Sequence, residues 1–355
     1  MPGSGVSGYA ELNVRVRVKY STLLTPQEFA GLFEAADFSA LIGLLKRTAY
    51  GPYLMRVEEN DLTPRQAVYQ IKSRMADACA TVARLAPAQA RPLVIQFYRN
   101  FEVDNLKAVL RGILTGAAWD RVRYVLFPLG SMTVLPAQAM LEAGSVGAAV
   151  ERLHGTPYYG TLAHAMKRYT AEQSLFPLEV ALDLSYWREL WNNANRLPNR
   201  DRAQSRRLVG SLVDVNNLMW AIRYRVYHHL SKEELINYTL PFGYRVRDDD
   251  IRAIAAGADI SQVLARIYPD MPNMDVLLRE PRQGLPELEV QLQRYVAERC
   301  RVAFIGYPFH IGVTLAYLVL NKLEIQDLIV LIEAKSSQIP AERFQPYLLI
   351  GNTLK

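Results

Sequence analysis

The feature that most constrains this chain is a short polar and apolar segment that occurs three times. Glu102-Val103-Asp104-Asn105-Leu106 continues through Val109 and Leu110 to Arg111, and Asp214-Val215-Asn216-Asn217-Leu218 continues through Ile222 to Arg223. A third copy, Glu324-Ile325-Gln326-Asp327-Leu328, leads to Leu331 and Ile332. With the leucine as anchor the spacings are 218 − 106 = 112 and 328 − 218 = 110 residues. That period exceeds a solenoid repeat and matches a small domain. A chain of 355 residues then divides into a disordered Gly/Ser-rich tail (1–8) and repeat domains at 9–125, 126–240 and 241–355.

The surrounding signals are helical. Thr25-Pro26-Gln27-Glu28, Thr63-Pro64-Arg65-Gln66 and Ser231-Lys232-Glu233-Glu234 each spell a capping box, two with proline at the first helical position, where its missing N–H costs nothing. Leu24–Ala35 aligns with Leu135–Gly144, Leu45 with Leu153, Thr48 with Thr156, and Tyr50-Gly51 with Tyr159-Gly160. Asp248–Ala256 and Ser261–Tyr268 read as the same pair of short helices in the third unit, followed by a loop-like stretch from Pro269 to Pro286 and helices from Glu287 to Phe304 and from about Gly312 to Ala334. Val14 to Lys19 alternates as a strand would, while Tyr9, Leu12 and Val16 fit one helical face, so locally that segment stays open. Strand signals are thin elsewhere, which makes the fold class all-α.

Half the residues are apolar, enough for real cores, and the net charge of +6 favours acidic partners or a membrane surface without requiring either. Cys79 and Cys300 lack metal-type spacing and read as core residues of a reducing compartment. No signal peptide is evident, and the longest apolar run, Ile311–Leu320, is about half the length needed to span a bilayer.

Chemistry is sparse. Gly3-Ser-Gly5-Val-Ser-Gly8 matches a dinucleotide-binding pattern in form only, because no strand precedes it. There is no P-loop, His-Glu-x-x-His, Cys-x-x-Cys or nucleophile elbow. His154, His164, His228, His229 and His310 are scattered, and adjacent His228 and His229 would diverge by about 100° on a helix. No catalytic, cofactor-binding or metal-ligating residue is expected. Within the recurring motif, Glu102 and Asp104 lie two residues apart and do not converge on one substrate atom. Short polar side chains carry a cost inside helices, so their return in every unit points to bonds with a neighbouring helix or loop. The motif residues Glu102, Asp104, Asn105, Arg111, Asp214, Asn217, Arg223, Glu324 and Asp327 are therefore expected to serve structure or an interface. Arg188 to Arg225 is arginine-rich, with Arg196, Arg200, Arg202, Arg206 and Arg207, which leaves an adaptor for acidic protein or nucleic acid as the alternative reading; a steep salt dependence of DNA or RNA binding would favour it.

Taken together the motifs resemble the C subunit of V/A-type rotary ATPases, which is related to the d subunit of the eukaryotic V-ATPase. The resemblance rests on Tyr9-Ala-Glu-Leu-Asn-Val-Arg-Val16, Thr48-Ala-Tyr50-Gly51, Asp104-Asn105-Leu106 with Arg111, and Val213-Asp214 with Asn217-Leu218 and Arg223-Tyr224-Arg225. It continues in Leu230 to Tyr238, Phe242-Gly243-Tyr244-Arg245, Ala316-Tyr317-Leu318 and Glu324 to Leu328, in order over about residues 9–350. The family pattern has Asn where Asp327 stands and a basic residue near Ile329, so the third domain is expected to deviate most. The resemblance implies an all-α funnel of three similar domains in pseudo-threefold arrangement around a central socket, with helix from Tyr9 to Lys19 and the N-terminal helix free to pack with domain 3. It further implies a non-catalytic coupling protein without cofactors, peripheral on the cytoplasmic side of the membrane. Its implied partners are the central stalk subunits and the cytoplasmic face of the proteolipid (c/L/K) ring, with no nucleic acid and no membrane span of its own.

Overall fold

A computed structural model describes residues 6–58, 62–228, 230–271 and 274–351. The described residues contain helices and no strand. In chain order these are α1 (Val6–Tyr20), α2 (Pro26–Glu34), α3 (Phe38–Leu45), α4 (Gly51–Leu54), α5 (Pro64–Leu85), α6 (Arg91–Leu114), α7 (Trp119–Val122), α8 (Ala137–Leu141), α9 (Val146–Glu151) and α10 (Tyr159–Glu172). They continue with α11 (Phe176–Asn195), α12 (Asn199–Arg223), α13 (Lys232–Asn237), α14 (Asp248–Ala255), α15 (Ile260–Ile267), α16 (Met274–Leu277), α17 (Pro281–Val302), α18 (Ile311–Ser336) and α19 (Ala341–Phe344).

All three expected capping boxes form, at Thr25, Thr63 and Ser231. Each fixes where its helix starts, and each is worth about 1 kcal/mol. The open segment near the N-terminus is helix: α1 buries Tyr9, Leu12 and Val16 along one face, while Val14 and Val18 point outward. The alternating valines thus mimic a strand only because Val16 belongs to the buried stripe and its neighbours do not. This helix already includes Val6 to Gly8, inside the segment assigned to the tail; Gly3 and Gly5 of the glycine pattern lie outside the described residues. The stretch expected to be loop-like up to Pro286 is a second correction. It contains α16, and α17 starts at Pro281, which suits a first-turn position and precedes Pro286 inside the helix. One interior proline removes one backbone hydrogen bond, and burial of Leu285, Leu288 and Leu292 on the same helix offsets that loss.

The chain forms two compact units, 50–190 and 1–49 with 191–355, with one boundary after Ala49 and the other inside α11. In the 50–190 unit the core centres on α6, which buries Leu93, Val94, Phe97, Phe101, Leu106, Val109 and Leu110. The ring of Phe101 stacks on Phe127 at 4.0 Å. In the other unit α18 is the core element, with every residue from Ile311 to Asn321 buried. A helix apolar on all sides must be surrounded, and α1, α3, α12 and α17 all pack against it. No helix among the described residues is long and apolar enough to cross a membrane.

Candidate functional site

The three motif copies sit on α6, α12 and α18, the longest helices among the described residues. Positions i, i+3 and i+4 share a helix face, so Glu102, Asn105 and Leu106 turn inward together while Asp104 faces solvent. The same division holds for Asp214, Asn217 and Leu218 against half-buried Asn216, and for Glu324, Asp327 and Leu328 against exposed Gln326. Asp104 accepts from Asn100 one turn back, at 2.9 Å, within its own helix.

Each inward group holds backbone, and Glu102 holds two hydroxyls as well. Glu102, 1% exposed, accepts from Val134 N at 2.6 Å, from Thr133 Oγ1 at 2.7 Å and from the Tyr158 hydroxyl. Asp214 accepts from the backbone N–H of Tyr244 (2.8 Å), Arg245 (2.7 Å) and Val246 (3.2 Å). Glu324 accepts from Leu24 N at 2.6 Å. These backbone donors fall at the beginnings of the second, third and first repeats respectively. In the first two copies the residue three positions later holds the chain earlier in the same connection, and in the third it holds residues 349–351. Asn105 donates to Phe127 O (2.9 Å) and accepts from Phe127 N (2.6 Å), and Asn217 donates to Leu240 O (2.9 Å) and accepts from Leu240 N (2.9 Å). Asp327 accepts from Leu349 N (2.6 Å), Ile350 N (2.8 Å) and Gly351 N (3.0 Å).

The departure at 327 thereby has a chemical reason. At Phe127 and Leu240 the loop offers both an N–H and a C=O, which an amide side chain matches, whereas at 349–351 it offers three N–H donors, which only a carboxylate matches. Burial pushes the carboxyl groups of Asp214 and Asp327 up to about 6, desolvation outweighing the backbone N–H bonds that favour the charged form. Because the folded-state pKa lies above the unfolded value near 3.9, the folded protein binds more protons between those limits, and these two groups lower stability as pH rises from about 4 to 6. Asp327→Asn removes one of them, so the fall in stability between pH 5 and pH 7, measured by urea denaturation, is expected to be shallower in that variant; an unchanged slope would refute the assignment.

The arginines that follow the first two copies do different work. Arg111 forms a two-pronged pair with Glu179 of α11 at 2.6 and 2.8 Å, beside the pair of Lys107 with Asp183. Arg223 reaches Glu289 of α17 at 2.6 Å. The Arg111 side chain is 62% exposed and that of Arg223 42%, so water screens both pairs. Arg111→Ala is expected to cost less than about 1 kcal/mol in thermal or chemical denaturation.

Several participants carry no clear signal in the sequence. The counterpart of Tyr50 is Tyr158, not Tyr159: both buried tyrosines stand at helix N-caps two residues after a threonine whose hydroxyl caps the preceding turn, Thr48 to Leu45 O and Thr156 to Leu153 O. The shared Tyr-Gly pair at 159–160 draws a sequence alignment one residue out of register. Asp201 is another, 4% exposed, accepting from the Tyr9 hydroxyl at 2.7 Å and from Ile311 N at 3.0 Å, and so tying α1 and the start of α18 to α12. A third is Gly243, where a Cβ would stand 2.1 Å from Asp214 Oδ1. No group of three or more His, Cys, Asp or Glu able to hold a metal occurs among the described residues, and of the adjacent histidines, His229 and the side chain of His228 lie outside them. Cys79 and Cys300 are buried and unpaired.

Fold and site together define an all-helical scaffold whose recurring polar residues hold connecting chain. The chain belongs to the ATP synthase (C/AC39) subunit family, whose model matches residues 12–347. It is 25% identical over 345 residues to the C subunit of the A-type ATP synthase of Methanocaldococcus jannaschii, covering 96% of this chain and 86% of that one. Similarity extends to the C subunits of the A-type ATP synthases of Methanosphaera stadtmanae, at 23% identity with 96% and 88% covered, and of Archaeoglobus fulgidus, at 21% with 97% of each chain covered.

Proposed function

We propose that this protein is the non-catalytic coupling subunit of a V/A-type proton- or sodium-translocating rotary ATPase, joining the central stalk to the cytoplasmic face of the proteolipid ring and passing torque between them. In this reading the repeat domains 9–125, 126–240 and 241–355 stand about a pseudo-threefold axis as a funnel, and the central socket receives the tip of the stalk. The observation that carries it is the recurrence of one clamp in a family member of this kind. Each motif carboxylate holds the start of another repeat, and Glu324, at the end of the chain, holds Leu24 at the beginning. A torque-bearing part needs connections that do not yield, and buried, hydrogen-bonded carboxylates at every junction supply that stiffness. A peripheral seat agrees with the absence of a spanning helix among the described residues.

The adaptor reading is less favoured because much of the arginine-rich stretch is engaged within the protein. Arg202 donates to Leu197 O, Arg206 lies over the Trp191 ring, and Arg225 donates to the carbonyls of Ile254 and Ala258. The test is binding of the purified chain to isolated stalk subunits and to detergent-solubilised proteolipid ring. Association with both is expected, and failure to bind either would contradict the proposal.

A further inference from the structure

Two arginines of that stretch, Arg200 and Arg207, meet Arg299 at one cavity. It lies between α12, α17 and the 305–310 loop, holds about 240 Å³, and is lined by Arg200, Gln204, Arg207, Arg299, Tyr307 and His310 among others. On α12 the lining residues Arg200, Gln204 and Arg207 recur at i, i+4 and i+7, one continuous face, and Arg299 opposes them from α17. No carboxylate is among the lining residues. Two buried polar atoms here have no hydrogen-bond partner, Arg299 Nε and His310 Nδ1, and His310 is only 6% exposed. Buried polar atoms without partners are rare in native proteins and ask for an explanation. Asp201, the nearby acid, is already committed to Tyr9 and Ile311 N.

The walls are held in place. Arg17 donates to Phe304 O, Tyr20 stacks on Phe304 at 4.0 Å, and the Arg200 guanidinium lies 4.2 Å from the centre of the Tyr307 ring. Gly312 lets the His310 ring approach α18, since a Cβ there would stand 2.9 Å from Nδ1.

We propose that this cavity is an oxyanion site that binds a phosphate group. Three guanidiniums and an imidazole exceed what one carboxylate, with two oxygens and a single charge, can satisfy. A phosphate brings more acceptor oxygens and up to two charges, and guanidinium forks match its geometry. The phosphate belongs either to a small soluble anion or to a lipid headgroup, and exposed Val302 and Ile305 on the rim suit a headgroup with apolar surroundings. The inference stands on the cavity alone and is independent of the coupling role.

Calorimetric titration with inorganic phosphate and pyrophosphate, against chloride at equal ionic strength, tests the soluble source. Co-sedimentation with phosphatidylglycerol vesicles, against phosphatidylcholine, tests the lipid. The full-length chain is expected to bind in at least one arm, and Arg299→Gln and Arg207→Gln each to weaken that binding about tenfold with unchanged circular dichroism. Arg168→Gln, which removes the exposed pair with Glu172 on a helix outside the cavity, is expected to leave phosphate binding unchanged. Absence of binding in both arms, or binding that survives the double variant Arg207→Gln/Arg299→Gln, overturns the proposal. Loss of stalk-subunit binding in that double variant, with no phosphate bound by the parent, would assign the cavity to a partner's carboxylate instead and equally overturn it.

Discussion

Asp214→Ala is expected to destabilise the protein by about 3 kcal/mol, because it removes at once the buried carboxylate on which three backbone N–H donors converge. The carboxylate is 1% exposed and accepts from Tyr244, Arg245 and Val246. Removing it leaves the start of the third repeat with donors that the alanine methyl cannot satisfy. Asp214→Asn retains the shape but turns one oxygen into a donor facing N–H groups, so an intermediate loss is expected. Urea denaturation at pH 7 measures both, and a loss near that of the exposed Arg111→Ala would show that the clamp is incidental.

Gly243→Ala is expected to cost about 3 kcal/mol through the same junction from the other side. Its new Cβ would stand 2.1 Å from Asp214 Oδ1 and 2.9 Å from Val246 O, so either the loop or the carboxylate must move. Because the two substitutions break one contact, the double variant is expected to lose less than the sum of the singles. Gly160→Ala serves as the control: nothing lies within 4 Å of its would-be Cβ, and it sits in the helix Tyr159–Glu172, where alanine is the better helix former. A stable Gly243→Ala protein with normal unfolding would contradict the close approach on which the clamp depends.

Much of this architecture is legible in the chain, and for identifiable reasons. Capping boxes at Thr25, Thr63 and Ser231 announce helix starts because the residues that satisfy the first N–H groups are local in sequence. Polar residues recurring inside apolar helices announce a shared buried role, since nothing local rewards them there. Their partners are another matter. Asp327 meets Leu349 to Gly351 and Glu324 meets Leu24, and no local pattern states which loop returns to which helix. Asp201 carries no signal because it occurs once, without a repeat to advertise it. Gly243 reads as an ordinary turn glycine until Asp214 stands beside it, and Pro281 and Pro286 read as loop because their cost is local while the burial of Leu285 and Leu288 is not. The arginine cavity is hidden for the same reason: α12 shows its basic face in sequence, but Arg299 and His310 come from elements about 100 residues away.

The role proposed for this chain is coupling rather than catalysis. The direct measurement is ATP hydrolysis and ATP-driven ion transport in the same reconstituted ATPase, assembled with and without it. Without the chain, hydrolysis by the head is expected to persist while ion transport falls to background, and adding the purified chain back is expected to restore transport. Ion transport that continues at full rate in its absence, or hydrolysis that disappears along with transport and is regained by the isolated chain alone, would contradict the account.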